Sequence, residues 1–322
     1  MNYNQYFKLK IKLVNSLSLI LIALIWLGCT NTSQEESSEE EPAESTELLL
    51  RDTRDLTKPG GFTSGIEGPA VSDQGNIYAV NFEVQGTIGE VSPEGAASLF
   101  VSLPNGSIGN GIRFLSTGEM LIADYINHNI LMVNMTDKSI SVWAHEPAMN
   151  QPNDLAITSK DVIFASDPNW KESTGNLWRI DPGGEVTLLE SNMGTTNGVE
   201  VSPDELKLYV NESVQGNVWV YDLSENGEVS NKQLLIKFED YGMDGMRCDI
   251  KGNLYITRHG KGTVAVVSPE GKLIKEINMV GKKPSNIAFG GPDGRTCYVT
   301  LQDRGNIETF VADHPGRAFR KL

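Results

Sequence analysis

The chain has 322 residues, and its 32 glycines exceed average usage, which predicts a turn-rich, all-β fold. Its 27 Lys and Arg against 42 Asp and Glu give a formal net charge of -15, so the summed field repels phosphate and disfavours nucleic-acid binding. Three cysteines are too few for a disulfide framework or a multi-cysteine zinc site, and both are excluded.

The N-terminal segment has the residue order of an export signal. Lysines within residues 8–12 precede an apolar stretch over residues 17–27, which ends at Gly28 and Cys29. A membrane-spanning helix needs about 20 apolar residues, so this shorter stretch predicts a signal peptide over residues 1–28. A small residue directly before a cysteine resembles the lipobox of bacterial lipoproteins, which implies lipidation of Cys29. A plain signal peptide and an uncleaved anchor are the alternatives.

An acidic segment follows over residues 29–45. It is rich in Ser and Glu and has no aromatic or branched apolar side chain, so it cannot bury enough surface to fold. We interpret it as a solvated tether between a lipid anchor and a domain over residues 46–322. The expected product is an exported, membrane-anchored lipoprotein, periplasmic or on the cell surface, with access to calcium.

Six copies of one short unit follow from residue 61. Each copy has an oxygen-bearing residue, two apolar positions spaced by two, a Gly or Asp turn and a second apolar strand. Successive copies start 43, 43, 44, 47 and 41 residues apart. Four short strands per unit of this length are typical of a propeller, whereas no copy shows the i, i+3, i+4, i+7 spacing of a helical repeat. We predict an all-β, six-bladed β-propeller, closed by a strand from residues 46–53.

Equivalent positions of the six units converge on the propeller axis. The predicted inward positions are those that open each copy: Glu67, Asn110, Asn153, Asn197, Asp244 and Ser285. Carboxylate and amide oxygens without thiolate or imidazole are the ligands of a hard cation, and Ca²⁺ suits them better than Zn²⁺. The alternative is that Asn, Asp and Ser form turns before strands, which explains Glu67 poorly.

Three other side chains have chemistry that the ring does not use. His259 is a candidate base at the channel mouth, although a lone His more often lies on a surface or packs in a core. Cys248 and Cys297 fall in strands of different blades, and we expect both to be buried and inert.

The chain resembles the gluconolactonase and regucalcin (senescence marker protein) family over residues 61–320. The motifs that carry the resemblance are EGP at Glu67, PND at Asn153 followed by FASDP, NGVEVSPDELKLYV at Asn197, DGM at Asp244, and NIAFGGPDGRTCYVT with GNIETF and HPGRAF near the end. The resemblance implies a six-bladed propeller with an axial divalent metal bound by Glu67, Asn153, Asn197 and Asp244. It also implies that Asp244 is the base or nucleophile partner. Many members have an Arg that grips the sugar where this chain has Gln151, which leaves aldonolactone specificity open.

The function expected from these residues is hydrolysis of a lactone, with a sugar-derived lactone as the small-molecule substrate. A Ca²⁺ ion, or another divalent ion such as Zn²⁺, Mn²⁺ or Mg²⁺, would polarise the ester carbonyl. Asp244, or a water that it orients, would be the base, while Asn110 and Gln151 would bind substrate. Direct attack by Asp244 to form an acyl-enzyme stays open.

Two other functions compete with this expectation. One is a phosphotriester or aryl-ester hydrolase, because similar propellers with calcium accept organophosphates. The other is a non-catalytic surface lipoprotein that binds a glycan or a protein, because a fold does not determine a function. The chain shows no serine nucleophile elbow, P-loop or dinucleotide motif, so nucleotide chemistry is unsupported.

Overall fold

The computed structural model describes residues 53–318, which form six four-stranded antiparallel sheets in a ring. This is the predicted six-bladed β-propeller. We number the blades I to VI in chain order. Their strands are Phe62–Val71, Ile77–Phe82, Thr87–Val91 and Ala97–Ser102 (blade I); Gly109–Phe114, Met120–Asp124, Asn129–Val133 and Ile140–His145 (II); Leu155–Ile157, Ile163–Asn169, Thr174–Ile180 and Val186–Met193 (III); Thr196–Val201, Lys207–Glu212, Asn217–Leu223 and Val229–Lys237 (IV); Met246–Cys248, Leu254–Arg258, Thr263–Val267 and Leu273–Asn278 (V); and Pro284–Gly290, Thr296–Leu301 and Asn306–Val311 with Arg54–Asp55 (VI).

The hydrophobic core lies between neighbouring blades. In blade V the second and third strands are buried throughout, whereas the outermost strand is half-buried or exposed. Side chains of one sheet pack against the facing side chains of the next, as Leu121 of blade II packs with Leu155 and Trp178 of blade III. Each blade therefore buries both faces of its middle strands, which explains the long apolar runs between turns.

The ring closes in blade VI, where a short N-terminal strand pairs with the last strand of the chain. Arg54 lies opposite Thr309, and Asp55 lies opposite Glu308. The Asp55 carboxylate accepts a hydrogen bond from Arg304 Nη2 at 2.9 Å, which ties this strand to the blade. The described pairing begins after the segment predicted to close the ring, of which residues 46–52 lie outside the described residues.

The innermost strands are irregular at the residue that faces the channel. Register shifts interrupt their pairing with the second strand in blades I, II, IV and VI, for example between Glu67 and Ala70. A β-bulge locally bends a strand and re-aims its side chains. In blades III and V the inner strand begins only after this position.

Glycine follows the channel residue in four of the six blades. At Gly68, which has a φ of +57°, an added Cβ would lie 1.9 Å from the carbonyl oxygen of Asn110 in the next blade. At Gly245 it would lie 2.0 Å from the side chain of Asn286. The inner strands therefore approach one another too closely for a side chain at these positions.

Residues 53–318 contain no helix with the length and apolar character needed to cross a bilayer.

Candidate active site in the propeller channel

Two buried carboxylates and one amide meet at the channel. Glu67 and Asp244 are each 6% exposed, and Asn197 is 1% exposed. Burial raises the pKa of Glu67 to about 8, although the Gly68 N–H donates to its Oε2 at 3.1 Å and opposes the shift. Burial and the neighbouring Glu67 charge raise the pKa of Asp244 well above its usual value, while a hydrogen bond from Asn197 lowers it. Without a cation, each carboxylate disfavours ionisation of the other.

The two remaining amides of the predicted set lie in the adjacent blades. Asn153 is buried two residues before the inner strand of blade III, and its carbonyl oxygen accepts the Gly111 N–H at 2.8 Å. Asn110 is half-buried in blade II. The Oδ1 atoms of Asn110 and Asn197 are buried and accept no hydrogen bond from any described residue. A buried oxygen without a donor is costly, and a hard cation satisfies it.

The donor set therefore fits a divalent cation of the oxygen-binding class. Within residues 53–318 no group of three or more His, Cys, Asp or Glu side chains is arranged to hold a metal ion. The candidate set instead consists of two carboxylates, Glu67 and Asp244, and amide oxygens. This composition matches the ligands that Ca²⁺ accepts and lacks the nitrogen and sulfur ligands typical of Zn²⁺.

A second group of charged residues lies one layer deeper. Asp154, which is fully buried, accepts hydrogen bonds from Arg113 Nη2 at 3.3 Å, Arg247 Nη1 at 3.1 Å and Asn286 Nδ2 at 3.3 Å. Its Oδ2 also accepts the Val199 N–H at 3.3 Å. Burial raises the pKa of Asp154, but the charges of Arg247 and Arg113 outweigh burial and lower it below the usual value.

The C-terminal tail contacts the inner strands of blades III, IV and V. Arg317 Nε lies 2.7 Å from Glu200 Oε1, and Arg317 Nη2 donates to the Ile157 carbonyl oxygen at 2.6 Å. The Arg317 N–H donates to the Cys248 carbonyl oxygen at 3.0 Å, and Glu200 Oε2 lies 3.9 Å from Arg247 Nε. Four carboxylates (Glu67, Asp154, Glu200 and Asp244) thus share the buried axis with three guanidiniums (Arg113, Arg247 and Arg317).

This deeper layer was not among the sequence-based predictions, although the repeat contains a signal for it. Asp154 and Asn286 stand where the other four copies have Gly, and charged residues such as Arg247 interrupt an otherwise apolar inner strand. In blade VI, Ser285 was the residue predicted to face the channel. The Ser285 hydroxyl instead bonds the Ile66 carbonyl oxygen at 2.9 Å, and Asn286 supplies the axial contact of that blade.

The other two predicted site residues, Gln151 and His259, are neutral hydrogen-bonding groups. Gln151 is half-buried, and its N–H donates to Asp167 Oδ1 at 2.7 Å. Burial raises the pKa of Tyr125, and a hydrogen bond with the Gln151 side chain opposes the shift. His259 follows the second strand of blade V, and its Nε2 lies 3.2 Å from Gln302 Oε1. Burial lowers the pKa of His259 to about 4, so the imidazole is neutral at neutral pH. Its role as a base stays a prediction.

The described cysteines are placed as predicted, whereas Cys29 lies outside the described residues. Cys248 and Cys297 are both buried free thiols. Burial raises the pKa of each thiol well above its usual value. Neither forms the thiolate readily, which is consistent with an inert role.

Comparisons with known proteins connect this site to one family. The family model described as the SMP-30/Gluconolactonase/LRE-like region matches residues 63–303. The gluconolactonase of Zymomonas mobilis is 28% identical over 270 residues, which cover 73% of this chain and 75% of that protein. The pentonolactonase of Haloferax volcanii is 29% identical over 177 residues, which cover 52% of this chain and 61% of that protein.

A solved structure shows the same fold. The calcium-binding protein regucalcin from Agrobacterium tumefaciens superposes with a TM-score of 0.73 at 20% sequence identity. The superposition covers 84% of this chain and 96% of that structure. At this identity the likeness concerns the propeller fold alone.

Proposed function

Because this chain belongs to the SMP-30/gluconolactonase/LRE-like family, we propose that it is a hydrolase that opens lactone rings. We propose a sugar-derived lactone as substrate and a divalent cation, Ca²⁺ in the first place, as cofactor. The observation that carries the proposal is the meeting of two buried carboxylates, Glu67 and Asp244, beside Asn197, whose buried Oδ1 accepts no hydrogen bond from a described residue. The lactonase names of two relatives support the reaction class.

The proposed ligands of the cation are Glu67, Asn153, Asn197 and Asp244. A bound Ca²⁺ ion would supply Lewis-acid polarisation of the ester carbonyl. Glu67 and Asp244 would bring two negative charges to the cation, and Asn153 and Asn197 would bring neutral oxygens.

Residues of this site would orient the substrate and transfer the proton of the attacking water. Asp244 would accept a proton from the attacking water at one of its Oδ atoms and return it to the ring oxygen of the lactone as the acyl–oxygen bond breaks, which leaves a carboxylic acid and a hydroxyl group. Asn110, through its unpaired Oδ1, and Gln151 would hydrogen-bond the hydroxyls of the substrate. Direct attack by the Asp244 carboxylate is the alternative. Single-turnover hydrolysis in ¹⁸O-labelled water tests for direct attack, because label enters the Asp244 carboxylate only when water opens an acyl-enzyme at that carboxyl carbon.

Acid release from a panel of aldono-, uronic and aliphatic lactones tests the proposal. We expect turnover with calcium, and we expect its loss with chelator and in Asp244→Asn. The matched control is Asp73→Asn, which changes an exposed Asp in a turn of blade I. Turnover that is unaffected by Asp244→Asn would contradict the proposal. A folded, calcium-binding protein without turnover on any lactone would favour the other-esterase or binding functions.

We also propose that the chain is exported and anchored to a membrane through lipid on Cys29. The supporting pattern is the lysine-rich start, the apolar stretch and Gly28 directly before Cys29. Cells that express the chain and its Cys29→Ser variant are to be labelled with a palmitate analogue. We expect label and membrane association only in the unsubstituted chain. A soluble, unlabelled product from both would contradict the proposal.

A further inference from the structure

A charged platform lies directly beneath the candidate cation ligands. We define the axial platform as Asp154, Arg113 and Arg247. Their side chains are 0%, 9% and 10% exposed, so their charges act in a poorly solvated interior. Each guanidinium has a nitrogen within 3.3 Å of an Asp154 oxygen, so one negative and two positive charges are in direct contact.

Asp154 is held by residues from four other blades. Arg113 comes from blade II, Val199 from blade IV, Arg247 from blade V and Asn286 from blade VI. Both carboxylate oxygens are engaged, which fixes the position of the charge on the axis. Asp154 directly follows the proposed ligand Asn153 in the chain, so its charge lies close to the ligand layer.

The platform charges act on both candidate carboxylates. Asn286 donates to Asp154 Oδ1 at 3.3 Å and also hydrogen-bonds Glu67, so one side chain joins the platform to the ligand layer. Asp154 interacts electrostatically with Glu67 and Asp244, and Arg247 interacts with Glu67. Charges of opposite sign in the platform therefore have opposite effects on the ligand layer. The same logic applies to a cation in that layer, which Asp154 attracts and the two arginines repel.

We propose that Asp154 is a positioning residue whose buried charge, balanced by Arg113 and Arg247, sets the affinity of the ligand layer for a divalent cation. This inference rests on the cation site of the proposed function. Two further charged residues extend this network. Glu200 Oε2 lies 3.9 Å from Arg247 Nε, and Glu200 Oε1 lies 2.7 Å from Arg317 Nε. The platform is not itself a ligand set, because guanidinium donors already occupy the Asp154 oxygens.

Calcium titration calorimetry on two variants tests the proposal. Asp154→Asn removes a negative charge but keeps the shape of the side chain, and we expect calcium affinity to fall about tenfold or more. Arg247→Met removes a positive charge, and we expect calcium affinity to rise. Both substitutions break the same 3.1 Å ion pair. A merely structural role would therefore move both affinities in one direction.

Controls keep the outcomes distinct. Asp73→Asn changes an exposed charge and should leave the affinity unchanged. If Arg247→Met does not fold, Arg113→Met removes one positive charge with a single 3.3 Å contact and should also raise the affinity. Circular dichroism and the unfolding temperature without cation establish that each variant is folded.

The possible results separate the inference from the proposed function. Opposite shifts for the Asp and Arg variants would support the platform. If the unsubstituted chain binds calcium but both variants bind it more weakly or equally well, the inference is overturned and the cation site stands. If the unsubstituted chain binds no divalent cation, the proposed cofactor fails and the inference fails with it.

Discussion

The metal-free protein should lose stability as the pH rises from 6.5 to 8, and Glu67 should be a principal cause. The folded pKa of Glu67 is raised from 4.5 to about 8, so the folded state retains a proton that the unfolded state has released. Stability from this group is therefore complete below pH 4.5 and is lost as pH rises toward 8. The slope is about 1.4 kcal/mol per pH unit, which amounts to roughly 2 kcal/mol over this interval. Asp244 shifts in the same direction and adds to the loss.

The lower limit of this interval follows from His259. Its pKa is lowered from 6.5 to about 4, so the unfolded state binds more protons between these values and stability rises with pH there. The contributions of His259 and Glu67 oppose each other below pH 6.5. Above it, His259 is largely neutral in both states, and the carboxylates dominate the slope.

Urea unfolding followed by tryptophan fluorescence, in buffer with chelator, measures the effect. Between pH 6.5 and 8, the free energy of unfolding of Glu67→Gln should fall by about 2 kcal/mol less than that of the unsubstituted chain. Saturating calcium should abolish the loss, because the bound cation stabilises the ionised carboxylates. Parallel pH profiles for the unsubstituted chain and Glu67→Gln would refute the reasoning.

Two further predictions concern the inner strands and the tail. Gly68→Ala places a Cβ 1.9 Å from a backbone oxygen at a φ of +57°, so it should lower the free energy of unfolding by about 2 kcal/mol or more. Gly183→Ala, which meets no atom within 4 Å, is the control, and equal urea midpoints would contradict the packing argument. Deletion of residues 316–322 removes the ion pair between Arg317 and the buried Glu200 and the Arg317 N–H bond to the Cys248 carbonyl oxygen, so it should lower the free energy of unfolding by about 1 kcal/mol or more, as measured by urea unfolding. An unchanged urea midpoint would show that these tail contacts do not stabilise the native state.

The sequence by itself determined the fold class. Six units, each with paired apolar strands and a turn, repeat at 41 to 47 residues, and this period belongs to propeller blades rather than helical repeats. The position of each unit's polar residue before its apolar pair was also enough to place Glu67 and Asp244 near one another. Local chemistry sufficed because each blade buries its own strands in the same way.

Only the tertiary structure decided which charges meet on the axis. Asp154 and Arg247 are 93 residues apart in the chain, and Arg317, which pairs with Glu200, is 117 residues from it. A charged residue within an apolar strand carries no sign of its partner in a single sequence. The partner is chosen by the closed ring, which brings the Asp154 carboxylate together with side chains of blades II, V and VI and a backbone N–H of blade IV, at a buried point where water no longer competes for them.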